Sequence, residues 1–236
     1  MKSTKRFVAA LLCLFISLVL FTACGSDAKK AMEDAVSTAT ELIEKGEKPL
    51  DKSTKSNLEE AIALSDEAKD DDAYTEVANK ITDAAKAYED SIKQLKQVTN
   101  PKESFIIERL KTVESAIDVE AATEDTDANK LMNKEGGYTS YVAMKSSWVI
   151  NDNGYYNDMS PVEAGTDGGA VVEAFKTKAD AEKREEYLAA FDGAGFLSSG
   201  SHKVVGTLLI RTSTELTATQ QKEMEKAVIN ALTRLE

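Results

Sequence analysis

The first 24 residues constrain the fold most, because they contain a long apolar segment and both cysteines of the chain. Three basic residues precede residues 7–21, which are apolar except for Ser17, and Thr22 and Ala23 follow. A basic start, an apolar run of this length and small residues after it are typical of a secretory signal. Such a signal is removed, so we predict that residues 1–23 take no part in the fold.

The next residue makes this prediction more specific. Residues 20–24, LFTAC, resemble the lipobox of bacterial lipoproteins, with Phe21 at a position where leucine is usual. The resemblance implies that Cys24 receives a diacylglyceryl thioether and becomes the mature N-terminus. Two acyl chains suffice for stable anchoring, at ~0.8 kcal/mol per buried CH₂. We therefore expect a protein lipid-anchored on the extracytoplasmic face of the cell membrane. An ordinary signal peptide cut near Ala23, or an uncleaved signal anchor, is the alternative.

The position of the cysteines also limits how the fold is stabilised. Removing 23 of the 236 residues leaves 213, enough for one large or two small domains. Cys13 lies inside the signal, so Cys24 has no second thiol with which to form a disulfide. Packed cores alone must therefore hold the domains together, and thiol catalysis and cysteine-based zinc sites are excluded. After residue 24, no apolar stretch approaches the ~18–20 residues of a membrane span.

The charge balance excludes one class of partner. The net charge of −12 becomes −15 once the three basic residues of the signal are removed. A strongly acidic chain argues against nucleic acid and against adsorption to anionic lipid, since both attract basic surfaces. Attachment to the membrane is then expected to depend on the covalent lipid.

Residues 24–100 have the pattern of three amphipathic helices. Apolar residues recur at three- and four-residue spacing over residues 28–43, 58–68 and 74–98. Gly46 and Pro49 predict the end of the first helix, and the aspartates at 70–72 predict the start of the third. Three helices of this length with short connections predict an up-down-up bundle.

Part of this segment resembles a known module. The resemblance rests on SNLEEAI at 56–62, on TEV at 75–77 and on Ala84, Tyr88, Ile92 and Leu95. These residues are similar to the FIVAR-type three-helix repeat of Gram-positive surface proteins. The resemblance implies a spacer, or an adhesive or glycan-associated module, and transfers no functional residue. We expect residues 24–100 to form a stalk.

The rest of the chain predicts an α+β domain. Residues 101–116 are expected to form a linker helix, followed by the domain over residues 117–236. The predicted order is strands at 117–121, 139–149 and 169–176, a helix from 177, a strand at 203–212 and a helix from 217. This order favours a mostly antiparallel two-layer sheet, loosely ferredoxin-like, with both helices on one face.

Four short segments of this domain carry a second resemblance. They are TEDTD at 123–127, GGYT at 136–139, the glycines at 168–169 and GSHKVVG at 200–206. These segments resemble a domain of unassigned function that accompanies such bundles in Gram-positive envelope lipoproteins. The resemblance implies no activity.

One end of the sheet is the candidate ligand site. The loops at 150–168 and 193–201 should lie at the same end, because each enters one of two parallel strands. This end would gather aromatic and polar residues of the kind that bind sugars or peptides. They are Trp148, Tyr155, Tyr156, Asp167, Phe196 and His202. The alternative is that Trp148 and Phe196 close the core and that His202 is a solvated strand end.

A second acidic loop imitates the start of a calcium site. Its oxygen-bearing residues are Glu124, Asp125, Asp127 and Asn129. Lys130 stands where the turn glycine is needed and Gly136 where the closing glutamate is needed, so we predict a solvated loop without metal. No cofactor is expected.

Motifs for catalysis are few. The chain has one histidine and no nucleophile elbow, phosphate loop or zinc-protease motif. Glu163 and Asp167 could in principle form a glycosidase pair. The leading hypothesis is a stalk that presents the α+β domain for non-catalytic interaction with an envelope protein or glycan. A ligand-binding or sensing lipoprotein is the runner-up, and an envelope hydrolase is third.

Overall fold

The computed structural model describes residues 25–150, 154–193 and 200–236. Cys24 and Phe196 lie outside the described residues. The α-helices within these ranges are α1 (Gly25–Glu44), α2 (Ser53–Ala63), α3 (Asp71–Gln97), α4 (Glu103–Leu110), α5 (Ser147–Ile150), α6 (Pro161–Ala164), α7 (Lys178–Ala189) and α8 (Ala218–Thr233). The strands are β1 (Ala116–Ala121), β2 (Ser140–Ser146), β3 (Gly169–Ala174), β4 (His202–Val205) and β5 (Leu208–Thr212). The α+β class is confirmed. None of the helices in the described ranges is long and apolar enough to cross a membrane.

Helices α1, α2 and α3 form the bundle. Gly46, at φ +66°, follows α1, and the side chain of Asp70 caps α3 by accepting a hydrogen bond from the Ala73 N–H at 2.9 Å. The core is built largely of alanines and aliphatic residues around the buried Tyr88. The Tyr88 hydroxyl donates to the Glu47 carbonyl at 2.7 Å, which places the end of α1 beside the C-terminal half of α3. Helices α1 and α3 therefore run in the same direction.

The sheet has the order β1-β2-β3-β5-β4, and every neighbouring pair is antiparallel. The single strand predicted over residues 203–212 is wrong, because β4 and β5 form a hairpin there. Gly206 lies at the turn with φ +64°, a conformation that glycine adopts without strain. Since β5 separates β3 from β4, β3 and β4 run parallel and α7 connects them.

The predicted placement of both helices on one face is also wrong. Val172 and Ile210 of the sheet share a core with Val228 of α8. Val171 and Leu209, on the opposite face, share a core with Leu188 of α7. Every residue of β3 is buried, so this strand needs cover on both sides. Helices α4 and α8 cover one face and α7 covers the other, giving three layers.

The bundle and the sheet are joined at the end of α3. Val98 is fully buried in the core shared by the sheet, α4 and α8. Its carbonyl accepts a hydrogen bond from the Thr207 N–H at 3.0 Å, within the β4–β5 turn. The Gln97 side chain donates to the Leu232 carbonyl at 2.7 Å, which ties α3 to the end of α8. Helix α4 also belongs to this core, through the buried Ile106 and Leu110.

Candidate functional site

A cleft of about 460 Å³ lies on the α7 face of the sheet. Two strand residues, Tyr141 of β2 and Arg211 of β5, contribute to its lining, together with the loop at 126–129. Residues 162–167 and the end of α7 complete the lining, and we call this pocket the α7-face cleft. It is the candidate functional site, because it combines aromatic walls with charges of both signs.

Local sequence signals position the segment at 160–168. Ser160 and Glu163 form a capping box at the start of α6, in which the Ser160 N–H donates to Glu163 Oε2 at 2.8 Å. The Val162 N–H donates to Glu120 Oε2 on β1 at 3.1 Å, which fastens α6 to the sheet. A Cβ atom at Gly168 would lie 2.6 Å from the Ala164 Cβ. Only glycine therefore allows the chain to pass this close to α6 before β3 begins. The segment therefore enters the cleft in one defined position.

Asp127 organises the loop on the other side. Its buried carboxylate accepts hydrogen bonds from the backbone N–H groups of Asn129, Leu131 and Met132 at 2.8–3.0 Å, and from the Tyr138 hydroxyl. Burial opposes ionisation of Asp127, but these four donors together lower its pKa below the usual value.

The calcium-like residues are arranged for loop structure. Both oxygens of Asp127 are engaged by protein donors, and Glu124 accepts from the Asn133 side chain at 2.7 Å. In the described parts of the chain, no group of three or more acidic, histidine or cysteine side chains is arranged to hold a metal ion. The predicted solvation holds for Glu124, Asp125 and Asn129, which are exposed, but is wrong for Asp127, which is buried because it accepts the hydrogen bonds of its own loop.

A buried ion network lies beside the α7-face cleft and contributes Arg211 to its lining. Glu173, near the end of β3, has no solvent exposure. It accepts hydrogen bonds from Arg184 Nε and Arg211 Nη1, each at 3.1 Å. Two guanidinium groups share one carboxylate, so the network carries one excess positive charge.

Tyr141 lies beside this network. Burial raises the pKa of Tyr141 to about 12, and the neighbouring charge of Arg211 offsets part of that effect. The hydroxyl therefore remains protonated at neutral pH. A Cβ at Gly165 would lie 3.5 Å from this hydroxyl, so the 162–167 segment packs closely against Tyr141 of β2.

Asp167 is the predicted site residue that the structure places in the α7-face cleft. Its carboxylate receives one long hydrogen bond, from Thr214 Oγ1 at 3.4 Å. Removal of water by the surroundings raises the pKa of Asp167, and the charge of Glu215 adds to this. The positive charge of Arg211 lowers the pKa of Asp167, so it offsets part of this increase.

The predicted aromatic residues lie elsewhere. Trp148 and Tyr156 are partly buried against the core shared with α4 and α8, and Tyr155 is 70% exposed. The two tyrosines meet edge to face, with ring centroids 5.1 Å apart. Lys145 holds this segment by donating to the carbonyls of Asn157 and Met159 at 3.0 and 2.6 Å. The charge of Asp167 acts on Tyr156, so these residues are neighbours at one end of the sheet.

His202 is separated from that group. It lies on β4, the edge strand, and two strands stand between β4 and β2. Its Nε2 is 3.2 Å from Asp192 Oδ2, and Glu185 of α7 lies 4.0 Å from its Nδ1. The topology thus places His202 at the expected end of the sheet, but the five predicted residues that the structure describes do not line one pocket.

Three lining residues were not predicted from the sequence, namely Tyr141, Tyr187 and Arg211. The other two members of the ion network, Glu173 and Arg184, were not predicted either. A signal was present, because Glu173 and Arg211 each interrupt an otherwise apolar strand, in GAVVEAF and LLIRT. A charge in a buried strand requires a partner, and that requirement predicts a pair on the same face.

One carboxylate of the predicted glycosidase pair is already used in the fold. Glu163 and Asp167 both line the α7-face cleft, but Glu163 uses one oxygen to cap α6.

Comparisons with protein-family models, with curated proteins and with solved structures found no match to this chain. The lipobox and FIVAR-like resemblances therefore stay predictions.

Proposed function

We propose that this chain is an extracytoplasmic lipoprotein, held at the cell membrane by lipid on Cys24. Its helical bundle acts as a stalk, and its α+β part interacts without catalysis with an envelope protein or glycan. The observation that carries the proposal is the N-terminal segment, in which an apolar run ends in Thr22-Ala23-Cys24.

The geometry of the bundle supports this role. Helix α1 begins at Gly25, directly after the proposed lipid site, and has 20 residues, or about 30 Å of helix. Its far end lies beside the C-terminal half of α3, which enters the sheet core. An anchor at Cys24 would therefore sit at the end of the bundle away from the sheet, and the bundle would separate the α7-face cleft from the membrane.

Substitution of the proposed lipid site tests the anchoring. Cys24→Ala should move the protein out of the membrane fraction or leave its signal uncleaved, because the lipobox position then has no thiol to acylate. Cys13→Ala, which removes the other cysteine from the signal, should fractionate and migrate like wild type. Mass spectrometry of the N-terminal peptide should find an acylated Cys24 in the wild type. A Cys24→Ala protein that behaves like wild type would contradict the proposal.

The α7-face cleft favours a second candidate, a small-ligand-binding or sensing lipoprotein. Its volume lies within the ~300–1,000 Å³ of ligand pockets, and it combines aromatic walls with several polar and charged groups. An envelope hydrolase is less well supported, since Glu163 is engaged in the α6 cap. Incubating the purified protein with wall glycans and peptides tests the non-catalytic role, and cleaved products would overturn it.

A further inference from the structure

Arg211, which lines the α7-face cleft, carries a positive charge and one unsatisfied donor. Arg211 shares Glu173 with Arg184, so the network keeps one excess positive charge. Arg211 Nε is buried and has no hydrogen-bond partner within the described residues. An unpaired buried donor is unfavourable, and more so on a charged group. The planar guanidinium is matched best by a carboxylate or another planar oxyanion.

A simple anion does not fit the rest of the cleft. Asp167 and Glu163 also line it, and both would repel a ligand that carries only negative charge. Glu163 is engaged in the α6 cap, whereas Asp167 is exposed and has only the long 3.4 Å contact with Thr214 among the described residues. A cationic group beside Asp167 would supply a stronger partner. The cleft therefore suits a ligand that carries both charges.

The size and walls of the cleft limit the ligand further. A volume of about 460 Å³ accommodates a molecule of one or two residues but not a folded segment. Tyr187 is 57% exposed and meets Phe191 edge to face at 5.2 Å, so an aromatic surface is available for an apolar group. Both residues lie on the rim formed by the end of α7.

We propose that the α7-face cleft binds a free α-amino acid or a dipeptide. The ligand carboxylate pairs with Arg211, its ammonium group pairs with Asp167, and its side chain packs against Tyr187 and Phe191. This inference rests on the non-catalytic binding role proposed above and names the ligand class for it.

Calorimetric titration of the full-length protein in detergent micelles tests the ligand class. Phenylalanine represents the free amino acid, and alanyl-phenylalanine represents the dipeptide. At least one of them should bind saturably. N-acetylphenylalanine lacks the ammonium group and phenylalaninamide lacks the carboxylate, so each should bind at least about tenfold more weakly. Glucuronate, a sugar carboxylate without an amine, should also bind weakly. Absence of saturable binding of both ligands at millimolar concentration would overturn the proposal, and so would equal binding of the blocked forms.

Paired variants test the residues. Arg211→Gln and Asp167→Asn should each weaken binding at least about tenfold. Arg184→Gln loses a comparable contact with Glu173 and the excess charge of the network, but no ligand contact because Arg184 does not line the cleft, so it should weaken binding less than Arg211→Gln does. Asp158→Asn, at an exposed position outside the cleft, is the control for Asp167. Wild-type affinity in both Arg211→Gln and Asp167→Asn would overturn the assignment. If Arg211→Gln does not fold, Asp167→Asn and the blocked ligands still decide.

The outcome is separable from that of the proposed function. The Cys24→Ala protein should bind the ligand with wild-type affinity, because the cleft lies in the α+β part. Loss of membrane anchoring would therefore leave this result unchanged. Recovery of the ligand after titration shows whether it was bound or turned over, and a cleaved dipeptide would overturn the non-catalytic role.

Discussion

At the scale of single residues, the most informative side chains are buried charges with specific partners. Asp127 accepts four hydrogen bonds and Glu173 accepts from two arginines. The two carboxylates differ in whether their partners keep unused hydrogen-bond donors. Asp127 is saturated by its own loop and orders the edge of the cleft, whereas the Glu173 network leaves Arg211 with donor capacity. Of these two buried carboxylates, only Glu173 has a partner, Arg211, with an unused hydrogen-bond donor among the described residues.

The pKa of Asp127 predicts a pH-dependent contribution to stability. A carboxyl whose pKa is lower in the folded state stabilises the fold above its unfolded pKa of about 3.9. This contribution is lost as the pH falls from there through the lower folded value. Asp127→Asn should lower the free energy of unfolding at neutral pH by about 2–4 kcal/mol, because backbone donors lose a charged acceptor.

Urea denaturation of both proteins across pH 7 to pH 2 is the measurement. The difference between wild type and Asp127→Asn should shrink as the pH falls below about 4, because the unfolded carboxyl takes up its proton before the native one does. Asp125→Asn changes an exposed aspartate two residues away and should have little effect at any pH. A pH-independent difference for Asp127→Asn would rule out ionisation as the source of the stability.

At the scale of elements, β2 does more than pair with its neighbours. Lys145 extends from β2 and donates to two carbonyls of the segment at 154–160, although it is itself only 7% exposed. That segment carries Tyr155 and Tyr156 and leads into α6, which lines the cleft. A short irregular segment without strand pairing depends on such side-chain contacts.

Lys145→Met should loosen this segment while the sheet remains folded. Methionine preserves most of the buried stem but leaves both carbonyls without the lysine donor, at a local cost of about 1–3 kcal/mol. Hydrogen exchange of the backbone at 154–160 should accelerate, while exchange in β3 changes little. Lys176→Met removes the same charge from an exposed position and serves as the control. Unchanged exchange at 154–160 would mean that other contacts hold the segment.

At the scale of the whole molecule, the bundle and the α+β part meet through the end of α3. Val98 lies in the sheet core, and Asn100 N–H donates to Thr207 Oγ1 at 2.7 Å. Gly206 faces this contact, since a Cβ there would lie 2.4 Å from the Val98 carbonyl oxygen. The stalk is therefore attached to the sheet by the close approach of two backbones.

Comparing Gly206→Ala with Gly46→Ala should separate the cost of a steric clash from the cost of a positive φ angle. Gly206 and Gly46 have similar φ angles, +64° and +66°, so alanine is strained to a similar degree at both. A Cβ at Gly46 would meet its nearest atom at 3.9 Å, so Gly46→Ala measures the strain alone. We expect Gly206→Ala to cost about 1–3 kcal/mol more than Gly46→Ala. Chemical denaturation of both variants gives the comparison, and equal costs would mean that the hairpin moves away without penalty.

The sequence by itself determined the features that depend on neighbouring residues. The three bundle helices, the start of α3 at the aspartates 70–72, the helices that follow residues 177 and 217 and the α+β class were predicted and are present. These features follow from hydrogen bonds and apolar spacing within about one turn of helix or a few residues of strand. Such interactions are visible in a linear pattern.

Only the tertiary structure decided which face each helix covers and which charges meet. The sequence pattern does not show that β5 lies between β3 and β4. It also does not show that α7 and α8 lie on opposite faces of the sheet. Arg211 reaches Glu173 through strand pairing between residues about 40 positions apart, and its charge acts on Asp167. Strand order and register set these distances, because an apolar strand buried on both sides has no preferred face of its own.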